Sequence, residues 1–467
     1  MEHNSQSDTN PEVTSKSSTY VDNNENPSTP SRKRPIFFKF RSSRHLVLFT
    51  VALGIFVDMF IYSVIVPIMP FHLRDHLGFV EDNISSTIGI LLGLYAVGLL
   101  IGSPLFGYLG DRCKKRQYPM ALGILGMIAS TILFMFSLQF WVLLVARFLQ
   151  GLSGACIWTV GFAMLSDNFP DEIGSAIGKV VPFLSLGMLS GNPIGGSLYE
   201  AKGYHAVFGL CIAMAVIDLL ARLLLVEKRG SPPEWWPENS TPNEKPLEDE
   251  NVPKRSLASV LFSPRMLAGL LITFSEAFIF AGPEATFPVH LHQTFGLEST
   301  QIGLVFIAIV FPTFIFSPIG GYLSDRYGSR LICVVGLLLA GMCTMLLGVP
   351  NSLATFIVLL FFFGSFGAVF IAPMIGEFSL IVRVPGSDPD TAITRSYALF
   401  NMAFGLGLAV GPIVCGRLLD QIGFFYVGIF MGAMCFFAAP FAALWTGDGW
   451  FKPQTSTENV DTSTADV

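Results

Sequence analysis

Gly107-Tyr108-Leu109-Gly110-Asp111-Arg112-Cys113-Lys114-Lys115-Arg116 reads as a short charged turn set between two long apolar runs. It returns as Gly321-Tyr322-Leu323-Ser324-Asp325-Arg326-Tyr327-Gly328-Ser329-Arg330, with Gly, Tyr, Leu, Asp, Arg and the final Arg in register. Ser103-Pro104 upstream is matched by Ser317-Pro318. A turn repeated together with its flank marks a duplicated chain, so each half should build the same set of helices. Membrane topology asks for Lys or Arg on the cytoplasmic side, but has no use for an Asp at a fixed offset after a Gly. An Asp there can accept from backbone N–H groups at a helix start, and its Arg neighbour can reach helix-end carbonyls.

The runs around the turn set the class. A chain of 467 residues that is 52% hydrophobic and only 13% charged, with a mean hydropathy of +0.58, lies outside the range of soluble globular proteins. About twelve apolar runs of ~20 residues can be cut from it at Gly, Pro and charge clusters. They are continuous and rich in Leu, Ile, Phe and Gly rather than alternating, which predicts helices and not barrel strands. The expected fold is therefore an all-α membrane protein of twelve transmembrane helices in two pseudo-symmetric six-helix halves.

Charge and cysteine narrow the partners. The net charge of -6 is spread over tails and loops, so it argues for neither nucleic acid nor an acidic substrate. Lys and Arg gather at 32–44, 112–116, 222–229 and 254–265, all on one side if the N-terminus is cytoplasmic. The seven Cys include no Cys-x-x-Cys pair, so neither a metal site nor a disulfide framework is expected, and no cofactor. The bilayer, a small-molecule substrate and protons are the expected partners of a monomer.

Residues 1–44 read as a disordered cytoplasmic tail with a basic end, where Arg32-Lys33-Arg34, Lys39, Arg41 and Arg44 alternate with Phe. Residues 45–226 form the first half, 227–263 a polar cytoplasmic linker, 264–446 the second half and 447–467 a cytoplasmic tail. Asn83-Ile84-Ser85 is a formal glycosylation sequon, expected to be unused because it abuts the membrane. Asp218 and Arg222, four apart in the sixth span, are placed to pair on one helix face. The first span, about 46–69, carries Asp58 near its middle, where an ionised carboxylate costs several kcal/mol unless paired, hydrated or protonated.

The repeated Gly-x-x-x-Asp-Arg-x-x-x-Arg turn resembles the loop joining the second and third helices of major facilitator superfamily transporters, with its echo between the eighth and ninth. The first copy has Lys114 where the family usually has Gly, whereas the second keeps Gly328. The resemblance implies a conformational gate at Gly107, Asp111 and Arg112, with Asp325 and Arg326 in the echo. Asp111 and Arg112 would clasp the cytoplasmic ends of helices from both halves while the pore is open outward. Arg147-Phe148-Leu149-Gln150-Gly151 resembles the superfamily's Arg-x-x-Gln-Gly signature, where the Arg faces the central cavity and is tied to proton coupling. An Arg that holds helix-end carbonyls together stays open as the alternative.

Gly187-Met188-Leu189-Ser190-Gly191-Asn192-Pro193-Ile194-Gly195-Gly196 in the fifth span resembles the Gly-x-x-x-Gly-Pro-x-x-Gly-Gly signature of antiporters. Asn192 stands at the usual Pro position and Pro193 follows one later. The eleventh span repeats the element as Gly407-Leu408-Ala409-Val410-Gly411-Pro412. Small residues at this spacing form a groove into which a neighbouring helix can pack closely. Val57-Asp58 through Pro67-Ile68-Met69-Pro70 is similar to the first helix of the vesicular amine transporters and their drug:proton antiporter relatives. Pro283-Glu284-Ala285-Thr286-Phe287-Pro288 resembles the same family's acidic residue before a proline. The eleventh span has Asn401 where the vesicular transporters have Asp, and near Ala368 the tenth lacks their other acid.

The resemblance thus implies a proton-coupled antiporter exporting small, largely apolar or amphipathic organic compounds. Asp58, Glu284, Arg147 and Asn401 are its candidate coupling and cavity residues. Uptake of a small organic solute is the alternative within transport, and a non-transporting membrane sensor the alternative outside it. No nucleophile, base and orienting residue assemble in sequence as an enzyme would need. The plasma membrane is placed ahead of a vacuolar or vesicular one, with no motif at Ala465-Asp466-Val467 to decide between them.

Overall fold

A computed structural model describes residues 37–79, 83–113, 115–169, 173–227, 235, 263–349, 352–381 and 389–447. A short helix α1 (Phe38–Arg41) precedes α2 (Arg44–Ser63) and its extension α3 (Met69–Leu77). The first half continues with α4 (Ile84–Arg112), α5 (Gln117–Met135), α6 (Phe140–Asn168), α7 (Ile173–Lys202) and α8 (Tyr204–Leu224). The second holds α9 (Pro264–Phe295), α10 (Ser299–Tyr327), α11 (Ser329–Leu346), α12 (Leu353–Ile381), α13 (Pro389–Ile422) and α14 (Phe424–Trp445). Eleven of these helices are long and apolar enough to cross a membrane, and α7, with 30 residues, packs among them as the twelfth. The linker, apart from its two ends and Trp235, and the C-tail beyond Gly447 lie outside the described residues.

The duplication is visible in the packing. Within the first half α2 pairs with α7, α4 with α6 and α5 with α8; within the second α9 pairs with α13, α10 with α12 and α11 with α14. The halves join where α4 meets α13 and α7 meets α10, contacts that the same repeat relates to each other.

Three expectations shift. The first span is not continuous to Met69: Pro67 has no N–H and biases Val66 away from the α region, so residues 64–68 form tight turns. Val66 N–H turns to Ser63 O (3.0 Å), which leaves the Tyr62 carbonyl free for another donor. The charged turn is mostly helix, since α4 runs through Arg112 and α10 through Tyr327. The tail expected to be disordered up to residue 44 is ordered from Phe37. Arg41 Nε donates to Leu224 O (2.6 Å), and Val226 N donates to Arg41 O (2.8 Å), so the basic end caps α8. By contrast, α9 stays helical through Pro283 and Pro288.

We call the end bearing Arg44, Arg112 and Arg222 the basic face and the other the opposite face. Among the described residues, the hydrogen bonds between the halves lie at Tyr62 or beyond it toward the opposite face. Ser299 Oγ donates to Pro67 O (3.1 Å), Ser86 N to Asp420 Oδ2 (2.7 Å) and Thr300 N to Glu200 Oε1 (2.7 Å). Glycines set the closeness of this seal. A Cβ on Gly303 would fall 2.5 Å from Asn192 O, and its repeat equivalent Gly89 is pressed in the same way on Pro412 O. Gly196 meets Ser299 and Gly416 meets Ser85. Toward the basic face Gly107 has open space, and Leu186 and its repeat equivalent Leu406 are exposed.

The glycine motifs thus have two jobs. Gly187 and Gly191 seat α7 on Phe56, Phe60 and Ser63 of α2, as Gly407 and Gly411 seat α13 on Phe274, Ala277 and Phe278 of α9. Asn192 and Pro412, one residue on, touch the other half. Gly303→Ala should push α10 from α7 and favour the state open at the opposite face. The distance between labels placed at Lys202 and Gln421 should lengthen, whereas an unchanged distance would mean that the seal relaxes around a methyl group.

Candidate functional site

Asp58, Glu284 and Arg147, far apart in sequence, come together between the halves. Asp58 lies fourteen residues into α2, about 21 Å from its start at ~1.5 Å per residue. It is 1% exposed and only accepts hydrogen bonds. Tyr95 Oη of α4 donates to both carboxylate oxygens (3.0 Å each), and Trp158 Nε1 of α6 donates to Oδ2 (2.8 Å). Gly154 makes room for this meeting, since a Cβ there would lie 2.9 Å from both Asp58 Oδ1 and Tyr95 Oη.

Glu284, on α9 of the other half, accepts a hydrogen bond from Tyr62 Oη of α2. The two tyrosine rings lean together with centroids 4.8 Å apart, and the Arg147 guanidinium stands 5.3 Å from the Tyr62 ring centre and 5.4 Å from that of Tyr95. Arg147 Nη2 reaches the Tyr62 carbonyl freed by the break at 64–68 (3.4 Å), and Nη1 donates to Gln150 Oε1 (3.3 Å). Gln150 Nε2 passes the chain on to Thr131 Oγ1 (3.2 Å). Arg147 is fully buried, so desolvation would be costly without these ring and carbonyl contacts. The arrangement joins one carboxyl group of each half through two phenols stacked on one cation.

Arg147, Gly151, Gly154, Trp158 and Phe162 follow one another at three- and four-residue steps, so they share one face of α6. The first three are buried, while Trp158 and Phe162, nearer the basic face, are half-buried and touch edge to face at 5.7 Å. Asp58 thus lies behind Trp158 as seen from the basic face. With both carboxyl groups ionised, they and Arg147 would together carry one net negative charge, which a single proton or a cationic group would bring to neutrality.

Asn401 does not join this network; it is exposed on α13. Of the gate residues, the side chains of Asp111 and Asp325 lie outside the described ones. Arg112 is exposed and stacks on Tyr108 (4.5 Å to the ring centre), and Arg326 on Tyr327 (5.5 Å). The last Arg of each repeat works inside its own half. Arg116 pairs with Asp167 at the end of α6 (2.6 Å), and Arg330 Nε donates to Thr446 O (2.5 Å) after α14. Asp218 and Arg222 do pair, at 3.2 Å.

Sequence reading missed Tyr62, Tyr95, Trp158 and Glu227. Tyr62 had a signal, being four residues after Asp58 on one helix face, and Trp158 shares the stripe of Arg147. Tyr95 had none, as a lone Tyr in an apolar run. Glu227, 5% exposed just beyond α8, accepts from Arg116 N (2.7 Å). Burial lifts its carboxyl from 4.5 to about 6, against the pull of the Arg116 and Gln117 N–H groups. The native state then holds the proton more tightly than the unfolded chain, so stability falls as pH rises through this window, by about 2 kcal/mol. Glu227→Gln should flatten the melting temperature across that window, and a slope kept by the variant would place its source elsewhere.

Comparisons with known proteins agree with the fold. The family profile of the Major Facilitator Superfamily matches residues 51–298 and again 269–464. An MFS-type transporter of Schizosaccharomyces pombe, C18.02, is 31% identical over 431 residues, covering 86% of this chain and 96% of the relative. The chromaffin granule amine transporter of Homo sapiens is 29% identical over 369 residues, covering 78% and 66%. Among solved structures, a bacterial homolog of the human lysosomal transporter Spinster, inward-facing and unoccupied, superposes with a TM-score of 0.67 at 14% identity. That match covers 86% of this chain and 97% of the other.

Proposed function

Because the chain belongs to the Major Facilitator Superfamily and is a membrane transporter of that type, we propose that it is a proton-coupled antiporter exporting small, largely apolar or amphipathic organic compounds from the cytoplasm. The basic face is the cytoplasmic one in this reading, and the plasma membrane the site of action. The observation that carries it is the pair of buried carboxyl groups, Asp58 from one half and Glu284 from the other, linked through Tyr95, Tyr62 and Arg147 on the basic-face side of the seal; in this reading the cavity opens at the basic face. Arg147 offsets one of the two charges. The remaining one is balanced by a proton in one state and by a substrate donor or cation in the other, so the two compete for one site.

The chain of contacts gives the competition a route between the halves. A donor that displaces Trp158 from Asp58 lets Tyr95 move, and Tyr95 leans on Tyr62, whose hydroxyl is held by Glu284. Substrate capture in one half thereby changes the contact with the other, as alternating access requires. Trp158 and Phe162 at the entrance offer aromatic surface to an apolar cargo. A second reading, cationic amine as cargo, is favoured by the amine transporters among the relatives; the exposed Asn401 adds no charge to the site. A growth-inhibition panel of toxic compounds, with and without the chain, tests export: resistance to a set of amphipathic compounds supports it, and greater sensitivity to them would indicate uptake.

A further inference from the structure

At the opposite face α3 and α9 meet through Arg74 and His292. Arg74 Nη1 lies 2.8 Å from His292 Nε2, while His292 Nδ1 lies 3.0 Å from Leu297 O. A carbonyl oxygen only accepts, so Nδ1 carries a proton; a guanidinium only donates, so Nε2 must be the bare acceptor. Both contacts hold together only while the imidazole is neutral. Phe71 supports the pair, its ring edge on to His292 (4.9 Å) with the Arg74 guanidinium over it (5.6 Å). The contact joins the two halves on the sealed side of the molecule.

We propose that Arg74 and His292 form a proton-operated latch: a proton from the opposite compartment binds His292 Nε2, breaks the bond to Arg74 and admits the state open to that side. Protonation turns Nε2 into a donor that faces another donor and sets two positive charges in contact. The proton forms an N–H bond with the Nε2 lone pair to which Arg74 donated, and only that hydrogen bond is lost. Histidine is the side chain whose charge changes within the ordinary range of compartment pH. A recess of about 20 Å³, lined by Pro70, Phe71, Arg74, Val289, His292 and Gln293, leads to the pair.

The surrounding charges leave His292 as the switch. Asp75 holds Arg74 from behind (2.8 Å), and Tyr199 of α7 lies near both. On α9 itself His290 turns away to stack on Phe424 (3.7 Å). The other histidines of this face, His72, His76 and His205, gather around Tyr204 within the first half and bridge nothing. An acidic opposite compartment would thus select the state that can take protons inward, the direction antiport needs. The latch uses the transport reading only for the existence of a second state.

The test needs no substrate. Lys202→Cys and Gln421→Cys, exposed at the opposite-face ends of α7 and α13, would carry spin labels in full-length protein, with Cys113→Ser and the other six cysteines left buried. Inter-label distances are read in nanodiscs at about pH 8 and about pH 5. Acid should lengthen the distance in the unaltered latch, raising the open-to-closed ratio about 10-fold or more. His292→Gln, whose amide oxygen still accepts from Arg74 but takes no proton, should stay short at both pH values, and His76→Gln should respond like the parent. An acid response that persists in His292→Gln, or a parent that fails to open in acid, overturns the latch. Because no gradient or cargo enters, this result stands apart from whether Asp58 couples transport.

Discussion

Asp58→Asn is expected to abolish transport driven by a pH gradient, lowering it by about 100-fold or more, while expression and folding are largely kept. The amide nearly preserves volume and can still accept from Trp158 and Tyr95 on its oxygen, so the packing behind α6 survives. What it loses is the charge that a proton or a cargo donor can offset. The site then holds Arg147 against Glu284 alone, already neutral, and nothing remains to exchange. Passive equilibration of cargo should persist at a reduced rate, because the aromatic entrance is untouched. Proton-driven flux equal to the parent's would remove Asp58 from the coupling role.

Arg147→Lys should lower transport by a factor of ten or more, although the charge is kept. A planar guanidinium lies within reach of two ring faces at once and spans Tyr62 O and Gln150 Oε1 with separate donors. An ammonium is a compact, strongly hydrated point charge that cannot cover both rings, and each desolvated ring contact is worth up to about 2 kcal/mol. The two tyrosines should then part, and with them the link from Asp58 to Glu284. Distances between labels on the two halves, measured alongside flux, separate this from a simple loss of protein. A variant with parental flux and parental distances would reduce Arg147 to a holder of helix carbonyls.

The legible parts of this protein were those where the membrane forces a choice. Twelve runs, two halves and the buried pair Asp58 and Glu284 follow from the high cost of polar groups in lipid, which leaves few harmless explanations for an acid in mid-span. The Asp218 and Arg222 pair was legible for the same reason, aided by fixed helical spacing. The glycine motifs announced close packing, but not that Gly89, Gly196, Gly303 and Gly416 would set the seal between the halves, because a glycine's partner is not written beside it. Tyr95 was invisible for a related reason: its hydroxyl matters only through Asp58, thirty-seven residues away in sequence. The break at 64–68 went unread although Pro67 carries its signal, and its consequence, a free Tyr62 carbonyl for Arg147, needed the third dimension. Which state the chain occupies left no trace in the sequence at all.

Exchange of cargo against protons is the claim on which the rest depends. The compound to which the chain confers the strongest resistance should be followed into proteoliposomes with an acidic interior, with protein-free vesicles as the blank. The account predicts accumulation above equilibrium that collapses when a protonophore dissipates the gradient and is absent in Asp58→Asn. Protein-dependent uptake that stops at equilibrium and is the same with and without the gradient would contradict it.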